Sequence, residues 1–425
     1  MIKIVKKNNT GLRGFVEIPS DKSISHRAVI LNSLAFGESV IRNFSLGKDC
    51  LTSVKILKSL GVDIDFIDDK ILKIKSKGSF QKPQNFLDAE NSGTTMRLMS
   101  GILAGQNFDS VLIGDESLSK RPMKRILEPL KIMGAKIEAN NNHAPLKIYG
   151  KKLNGIEYMS PISSAQVKSC VLLAGLNAFG KTTYIEPELS RNHTEIMLEY
   201  LGANILANGV KTEILPSELE SRDIEIVGDI SSASFFIVAG LIVPNSDITL
   251  KNVGINPTRA GIIDVVKKMG GDIEIFEERV LAGEKVANIR VRYTENLKGC
   301  TICGADIPRL IDELPIIAVL ATQADGKTLV KNAEDLRNKE SDRISCLKTG
   351  LKKLGAQIEE TADGFFVVGK TQLNGDCELE SFNDHRLAMS FYIAGLICKK
   401  EILIKGFDWV KISFPEFEKL IAELV

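Results

Sequence analysis

The chain has 425 residues, 44% of them hydrophobic and 26% charged, a balance that fits a globular protein too long for one ordinary core. Its 55 basic and 54 acidic side chains nearly cancel, so no global field draws it to nucleic acid or to an anionic membrane, and any anion site has to be a local concentration of charge. Seven scattered cysteines, an odd number, point to a reducing compartment rather than a disulfide framework.

In chain order, Ile2 to Val5 and Gly14 to Ile18 read as strands, with no apolar stretch of the length a secretion signal needs. A pattern then recurs six times: a short apolar helix ending in Ala-Gly or similar, followed by a strand. It is centred on Ala35, Ala104, Ala174, Ala239, Ala321 and Ala394, at spacings of 69, 70, 65, 82 and 73 residues. Five units carry a second helix that stops at Leu60-Gly61, Met133-Gly134, Leu201-Gly202, Met269-Gly270 and Leu354-Gly355, where the glycine suits a helix C-cap. Val62-Asp-Ile-Asp-Phe and Ile71-Leu-Lys-Ile-Lys then alternate like a half-buried hairpin. The longest apolar run, Phe235 to Val243, falls far short of the roughly 20 residues that cross a bilayer. Cys300-Thr-Ile-Cys303 has no companion pair at zinc-like spacing and reads as two strand cysteines. The sixth unit ends in a helix over Glu416 to Val425 without its final strands, and the two N-terminal strands are expected to supply them.

Three repeats per domain predict an α/β fold of two similar domains. Residues 20–229 form the first; residues 1–19 with 230–425 form a discontinuous second. Two crossings, near Pro19-Ser20 and Gly228-Asp229, join them as a hinge.

The polar clusters fall at the starts of the repeat helices. They are Asp21-Lys-Ser-Ile-Ser-His-Arg27, Asn91-Ser-Gly-Thr-Thr-Met-Arg97, Ser163-Ser-Ala-Gln166, Ser231-Ser232, Asp312-Glu313 and Asp384-His-Arg386. Helix N-termini expose unpaired N–H groups and about half a positive charge, and small residues there let an anion approach. Ser, Thr, Asp and Asn can be plain N-caps, but caps do not call for Lys22, Arg27, Arg97 and Arg386 as well. Lys120-Arg121-Pro122 and Ser190-Arg-Asn-His-Thr194 begin further helices, with His193 expected as a cap or surface residue. Asp312 lies in an apolar stretch and suits proton acceptance among cations. Lys339-Glu-Ser-Asp-Arg343 adds a second acid, although such charge runs are usually solvated. Neither a P-loop, a nucleophile elbow, a dinucleotide fingerprint nor a metal-ligand set is recognisable. Many cations with a few carboxylates suit group transfer between anionic metabolites.

Six segments in this order closely resemble the 5-enolpyruvylshikimate-3-phosphate synthase family across essentially the whole chain. They are Pro19-Ser-Asp-Lys-Ser-Ile-Ser-His-Arg27, Asn91 to Arg97, Arg121-Pro-Met, Ser164-Ala-Gln-Val-Lys-Ser169, Lys339 to Arg343 and Asn383-Asp-His-Arg386. The resemblance implies two domains of three βαβαββ-type units each, an inside-out α/β barrel with helices inside and sheets outside. It implies transfer of the enolpyruvyl group of phosphoenolpyruvate to the 5-hydroxyl of shikimate 3-phosphate, releasing phosphate through a tetrahedral intermediate, with no cofactor and no metal. By the same resemblance Lys22, Ser23, Arg27, Ser164, Gln166, Asp312 and Lys339 hold shikimate 3-phosphate, with Arg191 assisting at its phosphate. Lys22, Gly93, Arg121, Gln166, Arg343 and Arg386 hold phosphoenolpyruvate, and Asp312, Glu340 and Lys22 are catalytic. Glyphosate is expected to compete for the phosphoenolpyruvate pocket. The protein is expected to be a cytoplasmic monomer acting on small molecules, with neither nucleic acid nor membrane as partner.

Two positions depart from the family pattern. Leu98 stands where many members have Pro, and Ile412 where many have Lys, with Lys411 one residue earlier. A UDP-N-acetylglucosamine enolpyruvyl transferase would share the architecture, but it carries a reactive cysteine before its Arg-Pro, and Gly114 to Arg121 has none. A non-catalytic repeat scaffold would explain the repeats but not the cations with Asp312.

Overall fold

A computed structural model describes residues 1–425. The five helix-ending glycines take the left-handed backbone that only glycine adopts without strain: φ is 87° at Gly61, 93° at Gly134, 88° at Gly202, 80° at Gly270 and 89° at Gly355. Each turns the chain from a helix into an antiparallel hairpin. In the first repeat, Asp63–Asp68 pairs with Ile71–Lys77, and Ile71–Lys77 pairs on its other side with Phe36–Arg42. Leu72, Ile74 and Ser76 are buried while Lys73, Lys75 and Lys77 are exposed, the alternation of a sheet with one face on the core.

A short leading strand runs parallel to the strand after each first helix. Leu87–Asp88 lies beside Ser110–Ile113, Glu157–Met159 beside Thr182–Ile185, Thr301–Ile302 beside Gly326–Val330, and Cys377–Glu380 beside Ile402–Lys405. Parallel pairing needs a crossover, and the intervening helix provides it. Cys300 and Cys303 thus flank one of these strands rather than lying within it.

The N-terminal segment behaves in two ways. Ile2–Val5 pairs antiparallel with Ile402–Lys405 and completes the sixth sheet, as expected. Arg13–Glu17 does not join it; the strand runs parallel to Asp247–Gly254 in the fourth sheet. The reason is cyclic closure. Leading strands serve the repeat that follows them, so Arg13–Glu17 leads the fourth repeat, and Ile224–Glu225 closes the first by pairing with Phe36–Arg42.

The chain divides into two compact units: Ser20–Val227 with Val280–Glu284, and Met1–Pro19 with Gly228–Arg279 and Lys285–Val425. Each unit has helices within and sheets outside. In the first, helix Gly93–Ala104 packs so closely on helix Ala165–Gly175 that a Cβ on Gly101 would sit 2.2 Å from the Cys170 carbonyl oxygen. Serines on such buried helices return their hydroxyls to the preceding turn, Ser33 to the Val29 carbonyl and Ser100 to that of Met96, each at 2.7 Å. In the second unit, helices Ile230–Ile242 and Leu314–Thr322 are apolar nearly all round and almost wholly buried. The C-terminal helix Phe417–Ala422 closes that core through Phe417, whose ring meets Phe235, Phe236, Tyr392 and Phe414. No helix is long and apolar enough to cross a membrane.

Candidate active site

In the first unit, the Asp21 carboxylate caps helix Lys22–Leu34 by accepting the Ile24 N–H at 2.8 Å. Lys22 and Ser23 occupy its first turn and Arg27 the next. Lys22 pairs with Asp49 of helix Lys48–Ser59. Burial pushes the Asp49 carboxyl up, but Lys22, His26 and Arg121 outweigh it and hold the group below its ordinary value. Lys22 and Arg121 therefore both act on one carboxylate.

Arg27 is 4% exposed and makes three hydrogen bonds: Nε donates to Thr194 Oγ1 at 2.7 Å, Nη2 to Ser169 Oγ at 2.9 Å, and Nη1 to the Ser23 carbonyl at 3.0 Å. Burial pulls it down to about 10, with Glu195 opposing and the like charge of Arg191 adding to the fall. It stays cationic at neutral pH.

Gly93, Arg121 and Gln166 are brought together by Arg97. Nη1 of Arg97 donates to Gln166 Oε1 at 2.9 Å and to the Gly93 carbonyl at 3.3 Å, and Gln166 Nε2 donates to Thr94 Oγ1 at 2.9 Å. A Cβ on Gly93 would lie 2.6 Å from Arg97 Nη1 and 3.6 Å from Arg121 Nη1. Arg121 donates to Asn91 Oδ1 at 3.0 Å, and Asn91 is itself held by Asp115. Ser164 is the N-cap residue of helix Ala165–Gly175, but its side chain makes no capping bond. Leu98, where the family often has Pro, is fully buried in a regular helix.

Asn192, not His193, takes the N-cap position of helix His193–Tyr200. His193 is buried, not a surface residue, and its Nδ1 lies 2.7 Å from Glu284 Oε1. His26, in the first cluster, is buried too: its Nδ1 meets Ser53 Oγ at 2.8 Å, and Ser53 meets Thr95 Oγ1 at 2.7 Å, so three helices share one hydrogen-bond chain.

In the second unit, Asp312 sits in the turn between helices Asp306–Leu310 and Leu314–Thr322. Its carboxylate faces Arg343 Nη1 at 3.4 Å and Lys339 Nζ at 3.8 Å. Arg386 Nη1 donates to the Asp312 carbonyl at 3.0 Å. The Lys339 to Arg343 run is not simply solvated, because Arg343 has only 1% of its side chain exposed. Nε of Arg343 donates to Asp384 at 2.7 Å and Nη2 to Glu340 at 2.6 Å. Burial opposes its charge, but Glu340, Asp384 and Asp312 more than restore it. Reciprocally, burial pushes the Glu340 carboxyl up, and Arg343 followed by His385 hold it below the usual carboxylate range. Asp312, Lys339, Glu340, Arg343 and Arg386 thus form one cluster.

Behind it lies a group that the residues expected from the sequence do not include. Ser231 hydrogen-bonds the buried Glu313 and accepts from Arg259 Nη2 at 2.6 Å, while Arg386 Nη1 is 3.9 Å from Glu313. Arg97 and Ser231 had a signal in their helix-start motifs; Arg259 and Asp49 had none. Lys411 is exposed on the short helix Val410–Ser413. Within each unit the cluster can bind anions with its cations and backbone N–H groups, and the carboxylates of the second unit's cluster can move protons.

Residues 6–421 match the family model of EPSP synthase (3-phosphoshikimate 1-carboxyvinyltransferase). The chain belongs to the EPSP synthase family. Among its relatives, the 3-phosphoshikimate 1-carboxyvinyltransferase of Thermoanaerobacter sp. (strain X514) is 51% identical over 97% of this chain and 98% of its own. The relative of the same name in Petrotoga mobilis is 49% identical over 100% and 99%. The solved EPSP synthase of Acinetobacter baumannii superposes with a TM-score of 0.91 at 40% identity, covering 99% of this chain and 97% of that one.

Proposed function

We propose that this member of the EPSP synthase family transfers the enolpyruvyl group of phosphoenolpyruvate to the 5-hydroxyl of shikimate 3-phosphate, releasing phosphate, and that it does so as a cytoplasmic monomer. The observation that carries the reading is the whole-length likeness to 3-phosphoshikimate 1-carboxyvinyltransferases, at about half identity. The side-chain chemistry suits it. Both substrates are phosphorylated anions, and the cations at the helix starts answer them.

In the first unit, Lys22, Ser23, Arg27, Ser164 and Gln166 hold shikimate 3-phosphate, with Arg191 at its phosphate; Lys22, Gly93, Arg121 and Gln166 hold phosphoenolpyruvate. In the second, Asp312 and Lys339 serve shikimate 3-phosphate, and Arg343 and Arg386 serve phosphoenolpyruvate. The 5-hydroxyl adds to the substituted carbon of the enol while the methylene carbon gains a proton, giving a tetrahedral intermediate. Loss of phosphate and of a methyl proton then restores the double bond. Asp312 takes the hydroxyl proton. Lys22 and Glu340 handle the protons on phosphate and on the methylene carbon.

The test is phosphate release with both substrates, with each alone, and with UDP-N-acetylglucosamine replacing shikimate 3-phosphate. Release only with phosphoenolpyruvate plus shikimate 3-phosphate is expected. Release with the nucleotide sugar, or none with either acceptor, would overturn the reading.

A further inference from the structure

Lys168 stands two residues after Gln166 on helix Ala165–Gly175, yet only 1% of its side chain is exposed. Its Nζ lies 2.7 Å from Glu186 Oε1, 2.8 Å from Glu195 Oε1 and 3.2 Å from the Ser190 carbonyl, which occupies all three donors of the ammonium. Glu186 also accepts the Ser190 N–H at 2.9 Å and the Ser190 hydroxyl at 2.6 Å. The segment from Glu186 to Glu195 is therefore wrapped around one buried cation.

That segment carries Arg191 and Thr194. Thr194 Oγ1 receives Arg27 Nε at 2.7 Å and meets Ser169 Oγ at 2.6 Å, and Ser169 receives Arg27 Nη2 at 2.9 Å. Two buried cations, Arg27 and Lys168, are thus set against two buried carboxylates, Glu186 and Glu195. Glu195 is the strongest of the charges favouring the cationic form of Arg27. Removing the ammonium would leave two carboxylates facing each other out of water, which the cluster can relieve only by taking up a proton or by opening, and either one loosens the segment.

We propose that Lys168 is a positioning residue for the phosphate of shikimate 3-phosphate: it clamps residues 186–195 and so fixes Arg191 and the hydroxyl cradle of Arg27. This rests on the reading above that Arg27 and Arg191 hold that substrate. A role of this kind separates the two substrates, because Gly93, Arg121 and Arg97 are anchored through Gln166, Asn91 and Asp115 rather than through this segment.

The experiment is steady-state phosphate release by Lys168→Met and Ser190→Ala, each substrate varied at saturation of the other. Met fills the volume without the donors; Ser190→Ala removes one hydroxyl from Glu186. Loss of a charge-assisted hydrogen bond predicts a rise of about tenfold or more in KM for shikimate 3-phosphate with Lys168→Met, and of about threefold with Ser190→Ala, while KM for phosphoenolpyruvate stays within about twofold. Equal rises in both constants, or unchanged constants with only a lower yield of folded protein, would make the cluster merely structural and overturn the proposal. If Lys168→Met does not fold, Ser190→Ala decides alone. Absence of phosphate release by the unmodified protein would instead count against the proposed activity.

Discussion

Arg97 reaches 69 residues along the chain to Gln166, donating from Nη1 to Oε1 at 2.9 Å, and the same nitrogen is where a Cβ on Gly93 would fall, 2.6 Å away. Gly93→Ala therefore has to move the end of a flexible side chain rather than the backbone. We expect the variant to fold and to bind phosphoenolpyruvate less well. Glyphosate should suffer more than the substrate, since discrimination by one methyl is worth about 1–3 kcal/mol. Paired inhibition curves at fixed shikimate 3-phosphate check this; coincident curves for the two proteins would place Gly93 outside the inhibitor site.

Asp312→Asn keeps the shape beside Arg343 and Lys339 but removes the basic oxygen. Turnover is expected to drop about 10²–10⁴-fold, the usual share of a general base. Phosphate release under saturation measures it, and near-normal turnover would remove Asp312 from proton transfer.

Arg343→Lys should be costly although it keeps the charge. The guanidinium serves Asp384, Glu340 and Asp312 at once, and Asp384 is fully buried. A lysine cannot reproduce that fork, so at least one of these carboxylates loses a charge-assisted hydrogen bond, at about 1.5–3 kcal/mol. Urea unfolding of the purified variant tests this, and a midpoint equal to that of the parent would contradict it.

Stability should fall with acid through His26. Burial, then the Lys22 charge, push it from 6.5 down to about 3. The unfolded chain takes up this proton below about pH 6.5, while the folded chain refuses it until near pH 3. The contribution is therefore complete above that window and is lost at about 1.4 kcal/mol per pH unit as pH falls through it. His26→Gln should reduce the difference in unfolding free energy between about pH 7 and 5 by about 2 kcal/mol. Equal differences in both proteins would show that His26 does not resist protonation. His385, pushed down to about 4 by burial and by Arg386, acts in the same direction and stays in place in this comparison.

The repeat was legible because its signals are local. A glycine after Leu60, Met133, Leu201, Met269 or Leu354 ends a helix by its own backbone freedom, and all five sit at positive φ. The alternation of Ile71 to Lys77 fixes which face is buried before any partner strand is known. The helix-start clusters were visible for the same reason, since capping and small residues act within one turn.

Partnership was not legible. Arg13–Glu17 has the pattern of a strand, but nothing in it names the sheet it joins; cyclic closure of the three repeats sends it to Asp247–Gly254. The Lys22–Asp49 pair, the Arg97–Gln166 bond and the burial of Lys168 between Glu186 and Glu195 each couple residues from different elements. Periodicity and capping are properties of neighbours along the chain, so the amino-acid sequence by itself determined the elements, their repeat and the groups at their ends. Charge pairing and burial depend on distance in space, and only the packing of helices around each core decided which of those groups meet.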